Sequence, residues 1–189
     1  QFAALVAAGL LLASRGSNLD LQKSVAAADG RQSKSDAAPK LIVIVVVDQM
    51  RADYLDRYGA NLKLGLRRLM KDGARFTNGA YPYLNTVTCA GHSTIGTGSF
   101  PYRHGMILNN WFDPKTGTSP YCTDDPTVTE ISYNNLSPIQ GDSGKLMLVP
   151  AIGEQVIDRG GRSVALSLKP RSAVTLTGRK ADALTAAAS

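Results

Sequence analysis

The sequence predicts an α/β domain: a mainly parallel sheet flanked by helices. Three observations carry that expectation. Leu41–Val47 (LIVIVVV) is an unbroken, largely β-branched run, as a strand covered on both faces requires. Arg162–Leu168 alternates in the manner of a second strand. Between them lie segments of helical period, so that strand, helix, strand, helix and strand follow in turn.

The elements are justified in order. Phe2–Ala13 (FAALVAAGLLLA) is apolar, too short to span a bilayer, and suited to the central region of an export signal, so residues 1–14 are expected to direct export to the periplasm or medium. No basic stretch precedes it, and a small-x-small cleavage site stands at Ala26-Ala27-Ala28. Residues 15–39 are rich in Ser, Ala, Gly, Asp and Lys without sustained apolar period and are expected to form a linker or disordered tail. The fold is expected to begin near Lys40 and to occupy 40–189. After the Leu41–Val47 strand, Leu62, Leu66, Leu69 and Met70 share one helical face, with Gly73 as the stop. Ala74–Thr77 is expected as a short strand, and Cys89–Thr97 as a helix opened by a tight turn. Residues 109–144, full of Pro, Asn, Asp, Thr and Ser, are expected as a long surface excursion. A helix over Ala151–Asp158 ends at Gly160-Gly161, and Ala173–Thr177 is expected as a further strand.

Composition excludes several classes. Of 189 residues, 43% are hydrophobic and 19% charged, which rules out wholesale disorder. The net charge of +6 is scattered, with no block of five like charges, so no nucleic-acid partner is expected. No membrane span is expected once an export signal is removed, and the oligomeric state is open. Cys89 and Cys122 make neither a disulfide framework nor a zinc-finger spacing, and leave a single mutual disulfide open.

In an open parallel sheet, ligands gather beyond the carboxyl ends of the strands. Asp48 follows the most hydrophobic strand, and Lys169 and Arg171 follow the second. The hydroxyl-rich turn Asn85–Ser93 (NTVTCAGHS) leads into a helix start, where free N–H groups favour an anion. Singly, each feature also fits an ordinary cap or turn. Together they assemble a phosphate site: a carboxylate for a hard metal ion, a hydroxyl nucleophile and two cations.

VVVDQMRADYL (Val45–Leu55), NTVTCAGHSTIGTGSFPYRHGMILNNWFD (Asn85–Asp113) and SLKPRSAVTLTGRKADA (Ser167–Ala183), in that order, resemble the alkaline phosphatase superfamily. The nearest branch is the bacterial phosphatases with a threonine nucleophile, themselves similar to the nucleotide pyrophosphatase/phosphodiesterases. The resemblance implies an alkaline-phosphatase-like fold, incomplete in this chain, and zinc-dependent hydrolysis of phosphate monoesters through a covalent phosphothreonine. It makes Asp48 a zinc ligand and Thr88, counted back from His92 in preference to Thr86, the zinc-bound nucleophile. Asn109, with Asn110 as an alternative, would contact a phosphoryl oxygen, and Lys169 and Arg171 would bind the remaining oxygens. His92 and His104 are left to the scaffold. A sulfatase reading fails because Cys89-Ala90-Gly91-His92-Ser93 lacks the Cys-x-Pro-x-Arg pattern.

The resemblance also implies two zinc ions and about six side-chain ligands besides the nucleophile. Most are expected beyond the C-terminus of this chain, which is expected to be the N-terminal part of a longer enzyme and inactive alone. Small-molecule phosphate esters are the expected substrates. A phosphodiesterase or nucleotide pyrophosphatase, and an exported non-catalytic binding protein, are the alternatives.

Overall fold

The computed structural model describes residues 4–5, 39–132, 135–181 and 183–186. The expected export segment and linker lie outside the described residues but for Ala4–Leu5 and Pro39. Ala4–Leu5 (β1) pairs antiparallel with Val45–Val46 (β2). Helix α1, Tyr54–Tyr58, is followed by a 3-10 turn at Gly59–Asn61 and by α2, Gly65–Asp72, which ends where the Gly73 N–H reaches Leu69 O. Arg75 makes a two-pronged ion pair with Asp56, tying the segment after α2 back to α1.

Then come α3, Thr88–Thr97, and the short α4, Pro101–His104. Strands β3, Asp124–Ser132, and β4, Asn135–Asp142, form an antiparallel pair. Helix α5, Ile152–Asp158, leads to β5, Val164–Ser167, then α6, Pro170–Thr177, and β6, Ala183–Ala186, which runs parallel to β5. The β5–α6–β6 unit is thus a parallel crossover of the expected kind.

Four expectations are corrected. The Leu41–Val47 run is not covered on both faces: only Val45–Val46 are hydrogen-bonded as strand, and Leu41 is 78% exposed. The alternate positions Val43, Val45 and Val47 are also exposed, as are Val164 and Leu166 on β5, because no described element lies over those faces. The residues at 74–77 form no strand. Part of the expected surface excursion is the β3–β4 hairpin, whose register slips between Asp125 and Thr129, where Pro126 withholds an N–H from the ladder. Ala173–Thr177 is helix rather than strand. Pro170 presets the first helical φ, and the Thr175 and Thr177 hydroxyls donate to the carbonyls of Arg171 and Ala173 one turn back.

Of the three described strand pairs, only β5–β6 is parallel. The core centres on Cys89, Met106, Cys122, Met147 and Ala151, with Trp111 and Leu146 against it. Helix α3 is buried on nearly every side and lies against α6; at Gly96 an added Cβ would stand 2.6 Å from Thr175 O. Among the described residues no helix is long and apolar enough to cross a membrane.

Candidate active site

The site forms where the ends of β2 and β5 meet the start of α3. Asp48 follows β2 by two residues, and Gln49 turns the chain away at once with φ of 62°, a left-handed conformation uncommon for a residue with a side chain. Thr88 is the first residue of α3 and is 6% exposed. Its Oγ1 donates to Asp48 Oδ2 at 3.3 Å, and Lys169 Nζ donates to the same oxygen at 3.2 Å. Asp48 Oδ1 is buried without a partner, an acceptor left open beside the threonine hydroxyl.

Asn109 sits against the same helix start. Its Oδ1 accepts the Cys89 N–H at 3.0 Å, and its carbonyl accepts the Cys122 N–H at 2.8 Å. Because the side-chain oxygen is committed, the Asn109 NH2 is the group left to donate to an anion. The same bond modifies an expectation: the Cys89 amide at the start of α3 is spent on Asn109 and does not itself face a ligand. Asn110 instead bridges to Tyr121. Cys89 and Cys122 form a disulfide, resolving the question left by their spacing, and it fastens the residue after Thr88 to the loop before β3.

Arg171, the second residue of α6, has no hydrogen bond or ion pair to its guanidinium among the described residues, and its Nε is buried. Its Cζ lies 5.7 Å from the centre of the Tyr121 ring. The structure therefore brings Asp48, Thr88 and Lys169 into direct contact, holds Asn109 one residue away through Cys89, and leaves Arg171 in contact with Tyr121. Asp48, Lys169 and Arg171 are all close enough for their charges to act on His92.

The two histidines both bond to the scaffold through their rings. His92 Nδ1–H donates to Thr88 O at 2.9 Å, and burial holds its imidazole below the usual range. His104 is wholly buried; its Nδ1 accepts the Met106 N–H and its Nε2–H faces Thr94 Oγ1. Desolvation pushes it down to about 4. Thr94 Oγ1 also meets the Tyr83 hydroxyl at 2.7 Å, so the network braces α3 from behind.

The donor set tests what metal the residues present would accept. Asp48 offers an unpartnered buried oxygen and Thr88 a hydroxyl beside it, both hard oxygen donors suited to a divalent cation. Among the described residues no group of three or more His, Cys, Asp or Glu converges to complete a shell. The pair therefore fits one part of a metal site.

Sequence reasoning passed over Tyr121, which no motif singles out because its partner is fifty residues away. It also gave no sign of the left-handed Gln49.

The profile of the type I phosphodiesterase / nucleotide pyrophosphatase family matches residues 42–185. The alkaline phosphatase PhoV of Synechococcus elongatus is 37% identical over 150 residues, 77% of this chain and 27% of that protein. The alkaline phosphatase PafA of Elizabethkingia meningoseptica is 37% identical over 143 residues, 74% of this chain and 26% of that protein. The crystal structure of alkaline phosphatase PafA superposes with a TM-score of 0.66 at 34% identity, over 72% of this chain and 27% of that one. A second PafA structure, with a TM-score of 0.67, is of a variant in which a threonine, an asparagine, a lysine and an arginine are replaced. The chain thus spans about a quarter of the length of the relatives it matches.

Proposed function

The chain belongs to the type I phosphodiesterase / nucleotide pyrophosphatase family, with an alkaline-phosphatase-like fold, and from that premise we propose that the protein hydrolyses phosphate monoesters through Thr88. The observation that carries this is the convergence of Thr88 Oγ1 and Lys169 Nζ on one oxygen of Asp48. Further support comes from the similar PafA variant. Its replaced threonine and asparagine stand 21 residues apart, as Thr88 and Asn109 do, and its lysine and arginine two apart, as Lys169 and Arg171 are.

In this reading Thr88 attacks the phosphorus of a phosphate monoester. A phosphothreonine forms and the alcohol leaves; water then releases inorganic phosphate and restores the hydroxyl. Asp48 orients the hydroxyl by accepting its hydrogen bond. Zinc, held in part by Asp48 and Thr88, would supply the Lewis acidity that favours the alkoxide. Two ions are proposed, their other ligands lying outside the described residues. The Asn109 NH2, Lys169 and Arg171 meet the charge spread over the transferred phosphoryl group. We further propose that 40–189 belong to the catalytic domain, that 15–39 are a linker, and that 1–14 act as an export signal whose removal takes β1 from its pairing with β2 and leaves the mature enzyme outside the cytoplasm. Fractionation of cells expressing the gene tests that location, and cytoplasmic retention would overturn it.

The Lys169–Arg171 pair favours monoesters, because two cations are most useful against a phosphoryl group with no second ester. The family profile favours a second reading, diester or pyrophosphate hydrolysis on the same scaffold. The test uses the gene product carried to its own stop codon and purified with zinc. Turnover of an aryl phosphate monoester and of the matching diester is compared with and without Lys169→Ala/Arg171→Ala. A monoester preference that collapses in the double variant is expected. A diester preference indifferent to both changes would overturn the monoesterase reading.

A further inference from the structure

Arg171 differs from the arginines that hold a carboxylate. Arg51 pairs with Asp53, Arg75 with Asp56 and Arg179 with the buried Glu154. Lys169, two residues from Arg171, pairs with Asp48. Among the described residues Arg171 has no carboxylate partner, and its Cζ lies over the Tyr121 ring, 5.7 Å from the centroid.

The distinction is chemical. A carboxylate would orient a guanidinium by occupying its in-plane N–H groups and cancelling its charge, the two properties a phosphate site needs to keep. An aromatic face attracts the cation from above the plane and leaves the in-plane fork open. Stacking can therefore orient Arg171 without competing with a dianionic ligand.

Tyr121 is itself well anchored. Its N–H donates to Asp124 Oδ2 at 2.9 Å, its backbone bridges to Asn110, and the next residue, Cys122, is bonded to Cys89 in α3. The Cys122 N–H also holds the carbonyl of Asn109. The ring thus belongs to the loop fastened to the Thr88 helix, whereas Arg171 arrives on α6.

We propose that Tyr121 is a positioning residue for Arg171, setting its guanidinium toward a phosphoryl dianion and in register with Thr88 and Asn109. This rests on the phosphatase reading above and deepens it. Tyr121 makes no bond to substrate in this role. Its contribution passes through Arg171 and applies to dianionic phosphoryl groups.

The test compares the full gene product with Tyr121→Phe, Tyr121→Leu, Arg171→Ala and the Tyr121→Leu/Arg171→Ala double variant. It reads kcat/KM for an aryl phosphate monoester and the inhibition constant of inorganic phosphate. Leucine keeps the bulk and removes the π face, so the fold is not put at risk by truncation. Tyr121→Leu should weaken both quantities about 3- to 30-fold, the range of a cation–π contact. Tyr121→Phe should retain them, turnover of the matching diester should hardly change, and Tyr121→Leu should cost nothing further once Arg171 is alanine. An equal cost with and without Arg171, an equal loss in Tyr121→Phe, or no loss in Tyr121→Leu would each overturn the proposal. Arg171→Ala is read first: if it leaves monoester turnover unchanged, the phosphatase role of Arg171 fails and this inference falls with it. If Arg171 matters but Tyr121 does not, only the inference fails.

Discussion

Lys169 Nζ and Asp48 Oδ2 meet at 3.2 Å across 121 residues of sequence, joining the ends of two strands. The pair is partly open to solvent, so it is worth at most about 1 kcal/mol to the fold. The other Asp48 oxygen is buried with nothing to accept from, which costs stability. Asp48→Asn should therefore lower monoester turnover by about 100-fold or more, the scale of removing a metal-ligating or orienting group. The melting temperature should stay within about 4 °C of wild type, the equivalent of about 1–2 kcal/mol in a domain of this size. A melt that fell steeply while the specific activity of the folded fraction held would reverse the assignment.

Thr88 is distinguished from the other hydroxyls of α3 by its partner. Thr94 and Thr97 donate to carbonyls one turn back, whereas Thr88 donates across to Asp48. Thr88→Ala should reduce kcat by about a thousandfold or more, and Thr88→Ser should retain a substantial part of it, because the hydroxyl survives. Acid quenching during turnover of labelled monoester should trap phosphoprotein in wild type and none in Thr88→Ala. Trapped label in the alanine variant would move the nucleophile elsewhere.

The Cys89–Cys122 disulfide closes a sequence separation of 33 residues. Chain entropy alone assigns such a loop about 3–4 kcal/mol. Cys122→Ser should lower stability toward that amount in a urea titration, and it should also lower activity in the fraction that stays folded, because Asn109 hangs between the two cysteine amides. Full activity in a destabilised variant would show that Asn109 is held without the bond.

The fold class was legible in the sequence, and so were the positions that the structure brings together around Asp48, for physical reasons. Asp48, Lys169 and Arg171 stand just past strand-like runs, and Thr88 opens a segment of small residues that packs as a buried helix; those are local patterns. The run AVTLT at 173–177 reads as strand because Val and Thr favour extended backbone, yet Pro170 and the back-bonded threonine hydroxyls decide for helix. The β3–β4 hairpin escaped notice because its polar sequence carries no alternation, and its order comes from buried polar contacts such as Asp125 with Lys145. Lys145, Ser143 and Thr127 together hold the Asp125 carboxyl well below its usual range. The contact between Arg171 and the Tyr121 ring left no trace in either local sequence.

Gly96 sets how closely the Thr88 helix approaches the helix bearing Arg171. A Cβ there would stand 2.6 Å from Thr175 O and 3.0 Å from Leu176 Cα, both backbone atoms of α6. Gly96→Ala must therefore push α3 and α6 apart, although alanine is the better helix former. The expected cost is about 1–3 kcal/mol by chemical denaturation. Monoester kcat/KM should fall as well, since the helices carry opposite sides of the phosphoryl site. A stabilised variant would mean that the two helices do not pack so closely in solution.

His104 gives the protein an acid limit whose direction follows from its bonds. Its Nδ1 accepts the Met106 N–H, so the ring is held neutral with its proton on Nε2, toward Thr94. Protonating Nδ1 would break that bond inside a wholly buried site, and desolvation accordingly pushes the group down from its ordinary 6.5 to about 4. The folded state thus binds a proton less readily than the unfolded chain. Its contribution to stability is fully present above pH 6.5, declines as the unfolded chain takes up its proton, and is spent near pH 4. The shift corresponds to at most about 3 kcal/mol over that window. Urea titrations at stepwise lower pH should show this decline, and His104→Gln should flatten the slope between pH 6.5 and 4 while lowering stability at neutral pH. An unchanged slope in the variant would place the acid sensitivity in other groups.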